Sequence, residues 1–528
     1  MLTRFTLFLV LLTGGASARK FYVDDPILRE PKPRDVGALQ ARKLSDVYDL
    51  FSLQFGDLGE RQPPPGSTKP LIRAQGINTI ENPFDNAWWQ PRHYFQRMTP
   101  GQLRRGPGNS TAPSTRGKWT IVGVKSEGVT PGFRMLDADN RQYFVKFDPL
   151  SNPEMATAAD RISSKIFYAM GYHVPENYLI YFKVEQLQLG EEVEVANAAG
   201  KKRKMTLRDL YEILLKVPKT ADGRYRGTAS LSLPGKPIGP PRYFGSRTDD
   251  PNDVVPHEHR RDQRALQVFC AWLGHEDSRA INNIDITLQQ DGVRFVRHYL
   301  LDFGSTLGSA STKANSVRSG LPFFSWSESA KNFFSLGLHV SYVDFAEYPN
   351  LPSVGRLEAK TFDPERWVPE YPNPAFRNAL PDDKFWAAKQ VMSLTDADLK
   401  AIVETGEYSD PRAAEWVTQA LIARRDKIGK AFFARVLPLD RFAVRDGQLA
   451  WEDLSGTAGA IGVEWHHFDN LSEQRTAIPN ATAAQVPGFS ETGYLLAELT
   501  RASQPKQKVF VYLRRREGTQ IVGVERAW

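Results

Sequence analysis

Residues 298–304 read "HYLLDFG". An apolar run ends in Asp302, Phe303 and Gly304. Such a triplet either holds a metal ion beside a nucleotide phosphate or is an ordinary strand turning at a glycine. Alone it does not separate the two, because three residues of common type recur by chance in a chain of 528. What separates them is whether the rest of a phosphoryl-transfer site precedes it. That chemistry needs cations to neutralise phosphates, carboxylates to hold those cations, and a carboxylate to orient the attacking group.

Upstream, "GHEDSRAINNID" occupies 274–285, with Asn282 five residues after Asp277. In a loop this spacing lets an aspartate receive a hydroxyl proton while the asparagine carbonyl reaches a metal. Between the two motifs, "IDITLQQDGVRFVRHYLL" divides into a strand, an Asp291-Gly292 turn and a second strand. The predicted hairpin sets Asn282 beside Asp302, and their oxygens are hard ligands suited to Mg²⁺. Singly, each residue reads as a capping loop or a strand-end turn. In this order, joined by a hairpin, they favour a metal site.

Lys146 stands inside the apolar strand "YFVKF" (143–147). A lysine there commonly snorkels. Its functional reading is a cation directed at phosphates, covered by the preceding strands and their glycines, Gly128 and Gly132 among them. Such a lysine needs an acidic partner on the following helix. Glu154 lies in the first turn, where the helix dipole alone favours a carboxylate. Asp160, two turns in, has no such explanation and is the favoured partner, with Glu154 the alternative.

Lys146, an acidic helix, Asp277 with Asn282, and Asp302-Phe303-Gly304 occur in protein-kinase order. The chain thereby resembles the atypical protein-kinase-like fold family that includes HipA-type, CotH-type and secretory-pathway kinases. Phe144-Val145-Lys146 stands where kinases carry Val-Ala-Ile-Lys, and "GYHVPE" (171–176) is similar to the family's Gly-x-x-Val-Pro strand entry. The resemblance spans roughly residues 118–436. It implies ATP with Mg²⁺ or Mn²⁺ as cofactors. Asp277 would be catalytic, Lys146, Asp160, Gly128 and Gly132 would serve the nucleotide, and Asn282 and Asp302 would hold metal. The implied reaction moves the ATP γ-phosphate to a hydroxyl of a protein or small-molecule acceptor. Four departures stand out: Asp160 is shorter than the family's usual glutamate, "GVKSEGVTPG" (123–132) is neither a G-x-G-x-x-G nor a Walker A loop, His275-Glu276-Asp277 replaces His-Arg-Asp, and no Ala-Pro-Glu follows. The alternative is therefore a catalytically inactive kinase-like scaffold or a cell-envelope binding protein.

The length calls for more than one core. Hydrophobic residues at 41% and charged residues at 24% are ordinary for a soluble globular protein. A net charge of +7 is modest. The short runs "KKRK" (201–204) and "RRR" (514–516) read as solvated surface, and no nucleic-acid partner is expected. "MLTRFTLFLVLLTGGASA" (1–18) has the Arg4 start, short apolar stretch and Ala16-Ser17-Ala18 site of a signal peptide. No later segment reads as a transmembrane span. Cys270 is the only cysteine, so an exported bacterial protein, periplasmic or extracellular, is expected.

The expected fold is α+β: a two-lobed protein-kinase-like core with an irregular N-terminal extension and a small β-rich C-terminal domain. The boundaries are 1–18 signal, 19–117 extension, 118–235 N-lobe, 236–440 helical C-lobe and 441–528 β domain, the last with a cell-envelope component as its partner. A short helix is expected over 38–51. Another is expected to start at the N-cap Asn152 and stop at Gly171. "HEH" (257–259) and "HH" (466–467) read as surface polar residues. Asp249, Asp250 and Asp253 read as a turn, and "WW" (88–89) and "WHHF" (465–468) as core aromatics in preference to glycan platforms.

Overall fold

The computed structural model describes residues 19–528 apart from 57, 110–111, 125–130, 197–200, 322–329, 332, 336–341, 458 and 482. The signal-peptide segment and Gly128 lie outside the described residues. The chain divides into two compact units: Leu28–Ile77 with Asn82–Pro438, and residues 19–27 with Asn78–Glu81 and Leu439–Trp528.

In the first unit the N-terminal region holds two short helices, α1 (Asp46–Phe55) and α2 (Pro100–Arg105). The first begins several residues later than expected from the sequence. The region's other described residues are mostly irregular, held at individual buried anchors. Trp89 is 1% exposed, packs edge-on to Trp386 and donates its Nε1–H to Met170 O at 2.8 Å. Trp88 stacks on His298 with centroids 3.6 Å apart. Large buried aromatics repay the ordering of a segment that makes few ladder bonds.

Strands β1 (Trp119–Val124), β2 (Gly132–Leu136) and β3 (Gln142–Phe147) form an antiparallel run. In β3, Tyr143, Val145 and Phe147 are buried in the sheet's core, so alternation turns Lys146 to the opposite face. The helix α3 (Met155–Ala169) follows. It does not start at Asn152, because Glu154 adopts a left-handed conformation, φ 68°. The Asp148 carboxylate does the capping, accepting from Thr157 N at 2.9 Å and Thr157 Oγ1 at 2.6 Å. Next come β4 (Asn177–Phe182), β5 (Leu187–Leu189), the exposed β6–β7 hairpin (Glu194–Ala196, Lys202–Lys204), α4 (Leu207–Leu214) and β8 (Tyr225–Leu231). The six-stranded sheet runs β4-β8-β3-β2-β1-β5, with only the β1–β5 pair parallel.

After β9 (Lys236–Pro237), α5 (Arg261–Leu273) lies against the helices Pro381–Met392 and Pro411–Phe433. Arg424 from the last of these donates to Trp272 O and Ala271 O, satisfying carbonyls at the end of α5. The predicted hairpin is present as β10 (Asn283–Gln290) and β11 (Val293–Leu300), in register Asn283 to Leu300. Asp291 and Gly292 both take positive φ, 51° and 81°, as a tight two-residue turn requires. The HEH triplet is not at the surface, contrary to expectation. His257, Glu258 and His259 are each 3% exposed or less, and His257 Nε2 pairs with Asp253 Oδ2 at 2.8 Å. Polar groups that satisfy one another can be buried without an apolar pattern to announce them.

The second unit is all β. A hairpin, β12 (Leu439–Arg445) with β13 (Gln448–Asp453), accompanies a five-stranded antiparallel sheet ordered β15-β14-β16-β17-β18. Those five strands are β14 (Ile461–Phe468), β15 (Arg475–Ala477), β16 (Tyr494–Arg501), β17 (Lys508–Arg515) and β18 (Thr519–Ala527). This unit is not residues 441–528 alone. Phe21 is 3% exposed among Phe468, Tyr494 and Tyr512. Glu81 accepts from buried Arg526 Nε at 2.8 Å, and Thr79 O accepts from Val524 N.

Candidate functional site

Across the sheet, Lys146 lies directly opposite Gly132 on β2 and Thr228 on β8. Its ammonium donates to Asp302 Oδ1 at 2.7 Å. Burial pushes the Lys146 pKa down, but the charges of Asp302 and Asp160 outweigh it, and the net shift is upward. Lys146 is therefore held protonated.

The two candidate partners on or before α3 part company. Glu154 is committed elsewhere: its carboxylate accepts from Ser409 N at 2.9 Å and lies 3.8 Å from Arg226. Asp160 is 2% exposed, accepts from Asn177 Nδ2 at 3.2 Å, and acts on Lys146 through its charge. The ion-pair contact itself belongs to Asp302. Burial raises the Asp160 pKa; Lys146 opposes this and Asp302 adds to it.

The hairpin positions the other pair. Leu301 N donates to Asn282 O at 2.9 Å, which places Asn282 one residue from Asp302 across the end of the ladder. Asn282 Nδ2 donates to Asp277 O at 2.7 Å, so its carboxamide oxygen is the end left for another ligand. Asp302 takes φ 58°, ψ 57°, a left-handed conformation uncommon outside glycine and characteristic of constrained sites. Its side chain remains 36% exposed. Asp302 is thus within reach of a ligand, and buried Asp160 is not.

Asp277 carries its own partner. Arg279 Nε donates to Asp277 Oδ1 at 2.5 Å, and the Arg279 guanidinium sits over the Tyr371 ring. Glu370 lies close by: burial raises its pKa, and Glu276 and Asp277 raise it further. Beneath Asp302, Phe303 and His275 are buried. Burial pushes His275 below the usual histidine value, against Asp277 and Asp302, so it packs as a neutral ring.

The fold therefore gathers Lys146, Gly132, Asp160, Asn282 and Asp302 about the end of one hairpin and one face of one sheet. Asp277 is joined to them through Asn282. Sequence reasoning missed Asn177, which holds Asp160, and Arg279, which holds Asp277. Arg279 lay inside the quoted motif two residues on, and only its local spacing could have marked it. Among the described residues no group of three or more His, Cys, Asp or Glu side chains is arranged to hold a metal, and no helix is long and apolar enough to cross a membrane.

No protein-family model and no curated protein matches the chain. Among solved structures it is similar to the Golgi casein kinase with Mn/ADP bound, at 11% identity and a TM-score of 0.30, over 64% of this chain and 74% of that one. A second structure of the Golgi casein kinase is similar at 10% identity and a TM-score of 0.28, over 63% of this chain and 74% of that one.

Proposed function

We propose that this chain is an exported, metal-dependent phosphotransferase of the atypical kinase-like kind, transferring the ATP γ-phosphate to a hydroxyl of a protein or small molecule. The observation that carries this is the Lys146–Asp302 ion pair at 2.7 Å with Asn282 seated beside it. One cation and two hard oxygen donors, one of them on an exposed carboxylate, suit a site in which phosphates supply further ligands. Mg²⁺ or Mn²⁺ held by Asp302 and Asn282 would neutralise the phosphates. Lys146, kept charged by Asp302 and by Asp160, binds phosphate oxygens, and β1 and β2 with Gly132 cover them. Asp277 orients the acceptor hydroxyl and takes its proton. The new oxygen–phosphorus bond forms as the β–γ bridge breaks, and ADP leaves.

The test is a thermal-shift measurement on the full chain with ATP, with and without Mg²⁺ or Mn²⁺. Specific binding to the native state raises the melting temperature by mass action. The metal-dependent part of that rise should vanish in Asp302→Ala, read against that variant's own unliganded melting. A parent without any metal-dependent rise overturns the assignment.

One observation favours a nucleotide-binding scaffold without turnover: the Arg279 guanidinium already engages an oxygen of Asp277, which occupies a lone pair that would otherwise receive the acceptor hydroxyl's proton. A parent that binds metal–ATP but consumes none, with every candidate acceptor absent or present, is that scaffold.

A further inference from the structure

We infer that α4 and the strand before it form a docking surface for an anionic lipid membrane. The helix has two apolar stripes. Leu210 and Leu214 are each 1% exposed and, with Val217, sit in the core of the six-stranded sheet. The second stripe is Leu207, Tyr211 and Leu215, one residue every four, and these are 59%, 50% and 75% exposed. Single exposed apolar residues are normal, but an aligned run on one helical face marks an interaction surface.

The surroundings of that stripe identify its partner. Seven basic residues lie within 201–219, namely Lys201–Lys204, Arg208, Lys216 and Lys219, against the two acids Asp209 and Glu212. All seven are exposed. Among them, Lys202 pairs with Glu194, Arg203 with Asp209 and Arg208 with Glu212. The Lys202–Glu194 and Arg208–Glu212 pairs are exposed on both sides and hold their partners weakly, and even with Glu191, Glu192 and Glu194 on and before the paired strand β6 the basic residues of the element outnumber its acids. Asp209 also accepts from Thr206 N at 2.8 Å, so the Arg203–Asp209 contact fastens the basic strand to the start of the helix. Strand and helix present charge and apolar groups as one element. An apolar stripe flanked by lysine and arginine is the composition of a helix that lies in the membrane interface, where a tyrosine favours the headgroup level. A helix of eight residues offers far less than the roughly 800 Å² per partner of a stable protein interface. A nucleic acid would use the lysines and leave the leucines in water.

The experiment is vesicle flotation of the full chain, with phosphatidylcholine alone or mixed with phosphatidylglycerol. The chain should float with the anionic vesicles, weakly or not at all with the neutral ones, and less at high salt. Leu207→Ser with Leu215→Ser should lower partitioning about tenfold or more, from the apolar area removed. Lys202→Gln with Lys204→Gln should lower it similarly, removing charge without setting a like charge opposite Glu194. Both double variants alter exposed positions and should melt with the parent. The inference is overturned if the parent ignores anionic vesicles or if the serine variant floats as well as the parent. It is equally overturned if the serine changes abolish a self-association seen by sedimentation without vesicles, which would assign the face to a second copy.

Discussion

Phe303 is stacked on Phe167, their ring centroids 5.1 Å apart and their planes 27° from parallel, with His275 against both rings. The residue after the exposed aspartate is thereby fastened to the helix that carries the buried one. Phe303→Ala should cost about 3–5 kcal/mol, the usual range for emptying a buried aromatic site, measured by urea denaturation. It should also weaken the metal–ATP thermal shift, because Asp302 loses the anchor that sets its backbone. A variant as stable as the parent would mean that the stack is not structural.

Asp160 makes a pH prediction with a defined sign. Its pKa is raised in the folded protein, chiefly by burial. A group of that kind contributes stability that is fully present below the ordinary carboxylate range and is lost as pH rises through its folded pKa. Asparagine cannot ionise and keeps an oxygen to accept from Asn177. The stability of Asp160→Asn relative to the parent should therefore increase from acid pH toward neutrality. A difference that is flat, or that falls, would show that Asp160 is not held against its charge.

For Asp277, the expectation separates binding from transfer. Asp277→Asn should retain the metal–ATP thermal shift while losing phosphate transfer by on the order of 10² or more, as removal of a positioned base does. Steady-state rates with each acceptor check this, and equal rates in variant and parent would remove Asp277 from the chemistry.

Gly171 is a position where the backbone excludes a side chain. Its φ is +105°, and a Cβ there would run into the Trp89 indole and the Gln90 carbonyl. Gly171→Ala should cost more than about 2 kcal/mol, read from the urea midpoint. A neutral result would mean that Trp89 and its neighbours yield readily.

Much of the placement of the candidate residues was legible in the sequence because it follows from local turns and strand alternation. Asp291-Gly292 demands a turn, the turn demands a hairpin, and the hairpin sets Asn282 beside Asp302. Alternation in residues 143–147 likewise turns Lys146 away from Tyr143, Val145 and Phe147. What could not be read depends on partners distant in sequence. His257 looked like a surface residue because its burial rests on Asp253 and Trp88, which follow no hydrophobic period. The start of α3 was misplaced because the cap comes from Asp148, before the helix, and not from Asn152. The N-terminal region is tied in by single anchors such as Trp89, and no window average registers one residue.

The β unit that Phe21 and Glu81 help to build has a consequence for synthesis. A ribosome releases both residues long before Leu439 emerges, and at ~5–20 residues per second the wait is on the order of tens of seconds. Throughout it, the Phe21 ring lacks the pocket of Phe468, Tyr494 and Tyr512, and Glu81 lacks Arg526. The native β unit is consequently completed only after its last strands have been translated. A nascent chain stalled before Leu439 carries Phe21 without any of these native aromatic partners.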